Sequence, residues 1–128
     1  MPWNEGKKTF IAGEALEAHR RVKIKANTIT TPPEVEYSAA GENFIGVTEY
    51  AVKAGANVAV KLLSAAGTFE VECTVSEAIA CGAVLYGAND GKVSDASSGT
   101  AQGMALQAAG DSNEHIEVLF WHVTPTDL

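Results

Sequence analysis

The feature that most constrains this chain is period-two alternation of apolar residues in short runs, each closed by turn chemistry. Phe69, Val71, Cys73 and Val75 alternate with Glu70, Glu72 and Thr74. Ile116, Val118 and Phe120 alternate with Glu117 and Leu119, and Val58, Val60 and Leu62 form one face of Asn57 to Leu63. Alternation of this kind places successive side chains on opposite faces of a strand and buries one of them. Asn89-Asp90-Gly91, Gly110-Asp111-Ser112-Asn113 and Lys53-Ala54-Gly55 punctuate the runs with residues that tolerate positive φ. No helical pattern of a dozen residues competes. The expectation is an all-β fold, a small β-barrel or β-sandwich, with helix limited to one or two short turns near residues 13–19 and 76–81, the second capped by Ser76.

The runs of the first half resemble those of the second. Glu14-Ala15-Leu16 precedes Val22 to Asn27 as Glu77-Ala78-Ile79 precedes Val84 to Asn89, an offset of 63. Ile45-Gly46-Val47 matches Gln102-Gly103-Met104 at an offset of 57, and Val58-Ala59-Val60 matches Ile116-Glu117-Val118 at 58. Loops that differ in length account for such drift, so the reading includes two pseudo-repeated halves. Between the matched runs, Thr30-Thr31-Pro32-Pro33 excludes a central strand. It implies a loop or sheet edge, with one short strand at Glu34 to Tyr37.

At 128 residues the chain suits one β domain, 13–128, behind an extended arm, 1–12. The arm combines Trp3 and Phe10 with Lys7 and Lys8. Two readings stay open: aromatic anchors that dock on another protein, or a terminus that folds back on its own domain. In Arg21-Val22-Lys23-Ile24-Lys25, Val22 and Ile24 are expected in the core, with Arg21, Lys23 and Lys25 along the opposite face. Alanine and glycine supply much of the apolar content and aromatics only 7%, so the core is thin and oligomerisation would add burial.

Charge is divided unevenly. Residues 1–25 hold Lys7, Lys8, Arg20, Arg21, Lys23 and Lys25 against Glu5, Glu14 and Glu17, a balance of +3, while the remainder carries −10. An acidic body repels nucleic acid and anionic membrane, and a basic end can seek an acidic protein surface. No apolar run reaches a membrane-spanning length, and no basic-then-apolar leader is present, so synthesis in a cytoplasm is expected.

No reaction chemistry emerges. Cys73 and Cys81 match no zinc spacing and read as small buried hydrophobes rather than a bridge. His19, His115 and His122 are not spaced as metal ligands, and His115 with Glu117 reads as a solvated strand face. Gly82, Gly87 and Gly91 form no phosphate loop. The expectation is no catalytic residue, no metal and no cofactor.

One set of runs stands out: Gly67-Thr68-Phe69-Glu70-Val71 leading to Ala80-Cys81-Gly82-Ala83-Val84-Leu85-Tyr86, then Asp90-Gly91-Lys92-Val93, Gln102 to Ala109, and Ile116-Glu117-Val118-Leu119. Ile45-Gly46-Val47 and Ala56-Asn57-Val58-Ala59-Val60 join from the first half. Together these runs resemble a known family, the small cement or decoration proteins of tailed bacteriophage capsids. The Thr30 to Tyr37 stretch and the tryptophan-bearing arm depart from the pattern. The resemblance implies a structural protein that binds the major capsid protein on the outer surface of the shell at inter-capsomer junctions. It would stabilise the head against internal DNA pressure. The implied assembly is a trimer ahead of a dimer, made in the host bacterial cytoplasm, with no nucleic acid or membrane as direct partner. The residues expected at the capsid are Trp3, Lys7, Lys8, Phe10, Arg21, Lys23 and Lys25. The alternative is a non-enzymatic oligomeric β-barrel that binds a small ligand.

Overall fold

The computed structural model describes residues 6–26, 28–65, 67–74 and 78–121. Ten strands follow one another: β1 (Lys7–Ala12), β2 (Arg21–Ile24), β3 (Glu34–Tyr37), β4 (Gly46–Thr48), β5 (Asn57–Leu62), β6 (Phe69–Glu72), β7 (Val84–Gly87), β8 (Val93–Ser94), β9 (Gly103–Ala105) and β10 (His115–Phe120). The first five close into a barrel of order β1-β3-β2-β4-β5, and the last five form a second sheet of order β6-β10-β9-β7-β8.

The two sheets have one topology. In the barrel, β1 pairs β3 in parallel and β5 in antiparallel fashion, and β2 bridges β3 to β4. Substituting β6 for β1 and so on reproduces the second sheet, a half-barrel in which, among the described residues, a parallel bridge from Cys73 to Val93 stands where the β1–β3 pair stands in the barrel. The repeat extends to single residues. Leu16 exchanges both backbone hydrogen bonds with Val52, and Ile79 does so with Ala109. Phe10 lies opposite Val58, and Val71 opposite Ile116. The sequence offsets of 63, 57 and 58 are therefore structural offsets. The step falls mainly between β2 and β3, where the loop containing Pro32 and Pro33 is longer than the Asn89–Gly91 3₁₀ turn that joins β7 to β8.

Each sheet curls around its own apolar interior. Phe10, Ala12, Leu16, Val22, Val35, Val58 and Val60 fill the barrel. Val71, Ile79, Leu85, Val93, Ile116 and Val118 lie at the centre of the half-barrel's cluster, which Phe44 and Val47 join from the barrel side. Each fully buried valine or leucine contributes about 1.5–3 kcal/mol by leaving water.

Several expectations are corrected. Lys7–Ala12 is not arm but barrel strand β1, with Phe10 4% exposed, because Phe10 and Ala12 alternate inward with Thr9 and Ile11 outward. Residues 1–5, Trp3 among them, lie outside the described residues. No helix forms over 13–19. Leu16 instead makes its bridge to Val52, while residues 78–81 are non-helical around the equivalent bridge at Ile79, and Ser76 and Glu77 lie outside the described residues. The prolines lie in a loop and Glu34–Tyr37 forms the short strand expected beyond them, β3, which is not a sheet edge because it sits between β1 and β2. Cys73 is buried, but Cys81 is exposed in the turn before β7; both are free thiols. Val75 and His122 lie outside the described residues.

Candidate docking surface

The residues expected at the capsid do not form one basic face. Arg21 is fully buried, whereas Ile24, expected in the core, is 39% exposed. Val22 points into the barrel, and Ile24 lies on the same side of β2 but at the strand's open end. Arg21 points out of the barrel, and there the half-barrel covers it. Lys23 pairs with Glu42 at 2.9 Å and Glu36 at 3.8 Å, Lys25 with Glu34 at 3.6 Å, and Lys7 with Glu49 at 3.2 Å. The hydrogen bond between Lys23 and Glu42 raises the lysine pKa and lowers that of the carboxyl. The expected stripe of positive charge is thus largely matched by carboxylates of the same barrel. Lys8 is exposed on β1.

Arg21 instead joins the two sheets. Its guanidinium donates to the carbonyls of Ala88 at 2.7 Å and Lys92 at 2.9 Å, and to Gln102 Oε1 at 3.3 Å, all on the half-barrel side. It also lies 5.3 Å from the centre of the Phe44 ring. Burial pushes its pKa down to about 10 against an opposing effect of Glu42, so it remains a cation at neutral pH. The approach requires glycine twice. A Cβ on Gly87 would lie 2.8 Å from Arg21 Nη1. Gly91 has φ 72° and its Cβ would meet the Arg21 backbone carbonyl. Next to Arg21, Arg20 pairs with Glu72 at 3.1 Å, and Glu72 also meets Lys92 at 3.4 Å and His115 at 3.3 Å. Burial opposes ionisation of Glu72, but Arg20, His115 and Lys92 outweigh it and hold the carboxyl below its ordinary range. Phe120 stacks edge-on against both Phe44 and Phe69, with Lys61 over the Phe69 ring.

The repeat exposes a surface that alternation alone does not reveal. Arg21, Val47 and Lys61 are cross-strand neighbours along β2, β4 and β5, and this row faces the half-barrel. The equivalent row on β7, β9 and β10 is Val84, Met104 and Leu119, again direct neighbours. Here Val84 is 41% and Leu119 42% exposed. The half-barrel therefore turns outward the same face that the barrel uses to join it. The offsets of 63, 57 and 58 are the signal in the sequence that identifies this row.

Chain folding also gathers His19, Glu70 and His115, far apart in sequence, into one set of ligand atoms within 4.8 Å of one another. Spacing along the chain could not reveal this, because His19 comes from the loop before β2 and the other two from β6 and β10.

Residues 4–120 match the family described as phage cement protein. No curated protein matches the sequence. Among solved structures, the N base of the head fiber gp8.5 of bacteriophage phi29 is similar, with a TM-score of 0.73 at 17% identity over 90% of this chain and 92% of that one. At that identity the likeness is one of fold alone. With the match spanning both the barrel and the half-barrel, the chain belongs to the phage cement protein family and has a structural role in the phage capsid.

Proposed function

We propose that this protein decorates the outer surface of a phage head. It binds the major capsid protein across junctions between capsomers and stabilises the shell against the pressure of packed DNA. The observation that carries the reading is the family match over residues 4–120, which covers both sheets. A rigid body suits the task, because two sheets joined by a buried arginine and an aromatic cluster can transmit load between the shell subunits they touch. The role needs no catalysis, cofactor, membrane or nucleic acid, and the net charge of −7 disfavours the last two. A ligand-binding barrel is less well supported, since Val22, Val35, Val58 and Val60 fill the barrel interior.

Among the residues expected to touch the capsid, Phe10 and Arg21 are withdrawn because both are buried. Lys8 together with Trp3 in the preceding segment is the first candidate, and Lys7, Lys23 and Lys25 could exchange their carboxylate partners for those of a shell subunit. The protein works as a homotrimer in this reading. Supporting that, the exposed Val84–Met104–Leu119 row copies the face by which the barrel sits on the half-barrel, so a second copy can repeat the contact head to tail, and three copies can close a ring.

Co-sedimentation with undecorated heads tests the function, and saturable binding to the shell is expected. Heads that take up none of the protein would refute it. A variant lacking residues 1–5 and Trp3→Ala should both bind more weakly; equal occupancy would move the contact away from the N-terminus. Light scattering should give three times the 13.4 kDa chain mass, and Leu119→Glu should reduce it to one. A monomeric wild-type protein would overturn the trimer and leave capsid binding standing.

A further inference from the structure

We infer that His19, Glu70 and His115 form a binding site for a divalent transition-metal ion of the zinc type, placed where the barrel meets the half-barrel. His19 Nε2 lies 3.6 Å from Glu70 Oε2, and His115 Nδ1 lies 3.3 Å from the same oxygen. Zinc bonds to nitrogen and oxygen of about 2.0–2.1 Å in a tetrahedron place neighbouring ligand atoms roughly 3.3–3.4 Å apart. Each histidine thus already stands near the required separation from Glu70, all three ligand atoms lie within 4.8 Å of one another, and the imidazole ring centres are 4.7 Å apart. Two imidazoles and one carboxylate are a donor set suited to zinc rather than to calcium or magnesium, which prefer oxygen alone.

A second, independent feature is the group behind His115. With Nδ1 toward Glu70, its Nε2 faces Glu72 Oε1 at 3.3 Å. A ligand histidine characteristically gives its other N–H to a carboxylate, which fixes the tautomer and strengthens the metal-facing nitrogen. Glu72 is suited to that task, since Arg20 at 3.1 Å and Lys92 at 3.4 Å hold it in place. His19 is held equally firmly. Its backbone N–H donates to Thr48, its carbonyl accepts from Glu72, and its φ is 63°, a conformation that a histidine adopts rarely. The side chains of His19, His115 and Glu70 are 28%, 38% and 56% exposed, so an ion can enter from solvent and keep at least one water. Because His19 comes from the barrel side and the other two ligands from the half-barrel, a bound ion would lock the joint.

The test is calorimetric titration of the purified chain with zinc chloride, backed by the visible absorption of cobalt(II) in its place. One ion per chain is expected. Glu70→Gln, His115→Gln and His19→Asn should each weaken zinc binding by roughly tenfold or more. His19→Asn keeps a residue that tolerates the positive φ, and Glu70→Gln alters an exposed side chain, so at least these two should retain the strand circular-dichroism spectrum. Absence of saturable zinc binding would overturn the site. So would binding at full affinity in folded Glu70→Gln or His19→Asn protein, because the ion would then be held elsewhere.

Discussion

The barrel and the half-barrel share strand order, residue-level bridges and turn positions, yet they differ in what covers their outer faces. In the barrel, β1 and β3 pair along two registered residue pairs, whereas in the half-barrel the corresponding segments meet, among the described residues, at one bridge between Cys73 and Val93. The barrel face at Arg21 and Val47 is buried by the half-barrel, while the equivalent Val84 and Leu119 meet solvent. A duplicated fold thus acquires polarity: one copy's face becomes an internal joint and the other's stays open. The charges follow the same division, with Arg20 and Arg21 on the barrel side and Glu70 and Glu72 on the half-barrel side of the joint. What differs is the occupant of each face, and chemistry has diverged there while the interiors have stayed alike.

The largest expected effect separates the two copies of that face. Arg21→Met should cost about 3 kcal/mol or more in a denaturant titration, because it leaves the buried acceptors at Ala88, Lys92 and Gln102 without their donor. Val84→Ala, at the matching position, should stay within about 0.5 kcal/mol in a monomeric background such as Leu119→Glu. Equal costs would break the claim that only one of the faces is a joint.

A second pair tests the sameness of the interiors. Val60→Ala and Val118→Ala remove equivalent, fully buried side chains, and each should cost about 2 kcal/mol. If the joint couples the sheets, both should shift a single calorimetric transition. Two transitions, each moved by only one of the substitutions, would show that the sheets unfold independently.

The smallest effect concerns acid. The folded pKa of Glu72 is depressed below its ordinary 4.5, so its contribution to stability is present above that pH and is lost as pH falls through the lower, folded value. The melting temperature of Glu72→Gln should therefore fall less than that of the wild type on acidification below 4.5. Parallel decline of the two would remove Glu72 from the joint. Glu42 has the same sign but is more exposed, and Glu42→Gln should matter less in salt.

Much of the fold was legible because the local rules agreed. Val58 and Val60, Phe69 and Val71, and Ile116 and Val118 alternate cleanly, and all six are buried as read. Asn89-Asp90-Gly91 turns the chain between paired strands β7 and β8 as its residue types require. Phe10 could have been placed by the same reasoning, since the repeat carries Phe10 and Ala12 onto Val71 and Cys73. Its proximity to the basic, proline-bearing terminus drew it instead into an arm. The candidate docking surface was less legible: of the lysines and arginines expected there, one is buried and three are paired with carboxylates.

Sequence alone determined most of the strands after β1, most of their inward faces, the turns between them and the duplication, because each depends on residues close in the chain or on a pattern that repeats along it. Tertiary structure alone decided that Arg21 and Glu72 are buried, that Val84 and Leu119 are not, and that His19 reaches His115. Period-two patterning says which side chains share a face of a strand. Whether an outward face meets water or another sheet depends on how distant strands pack, and that is where a guanidinium becomes a joint and separated imidazoles become neighbours.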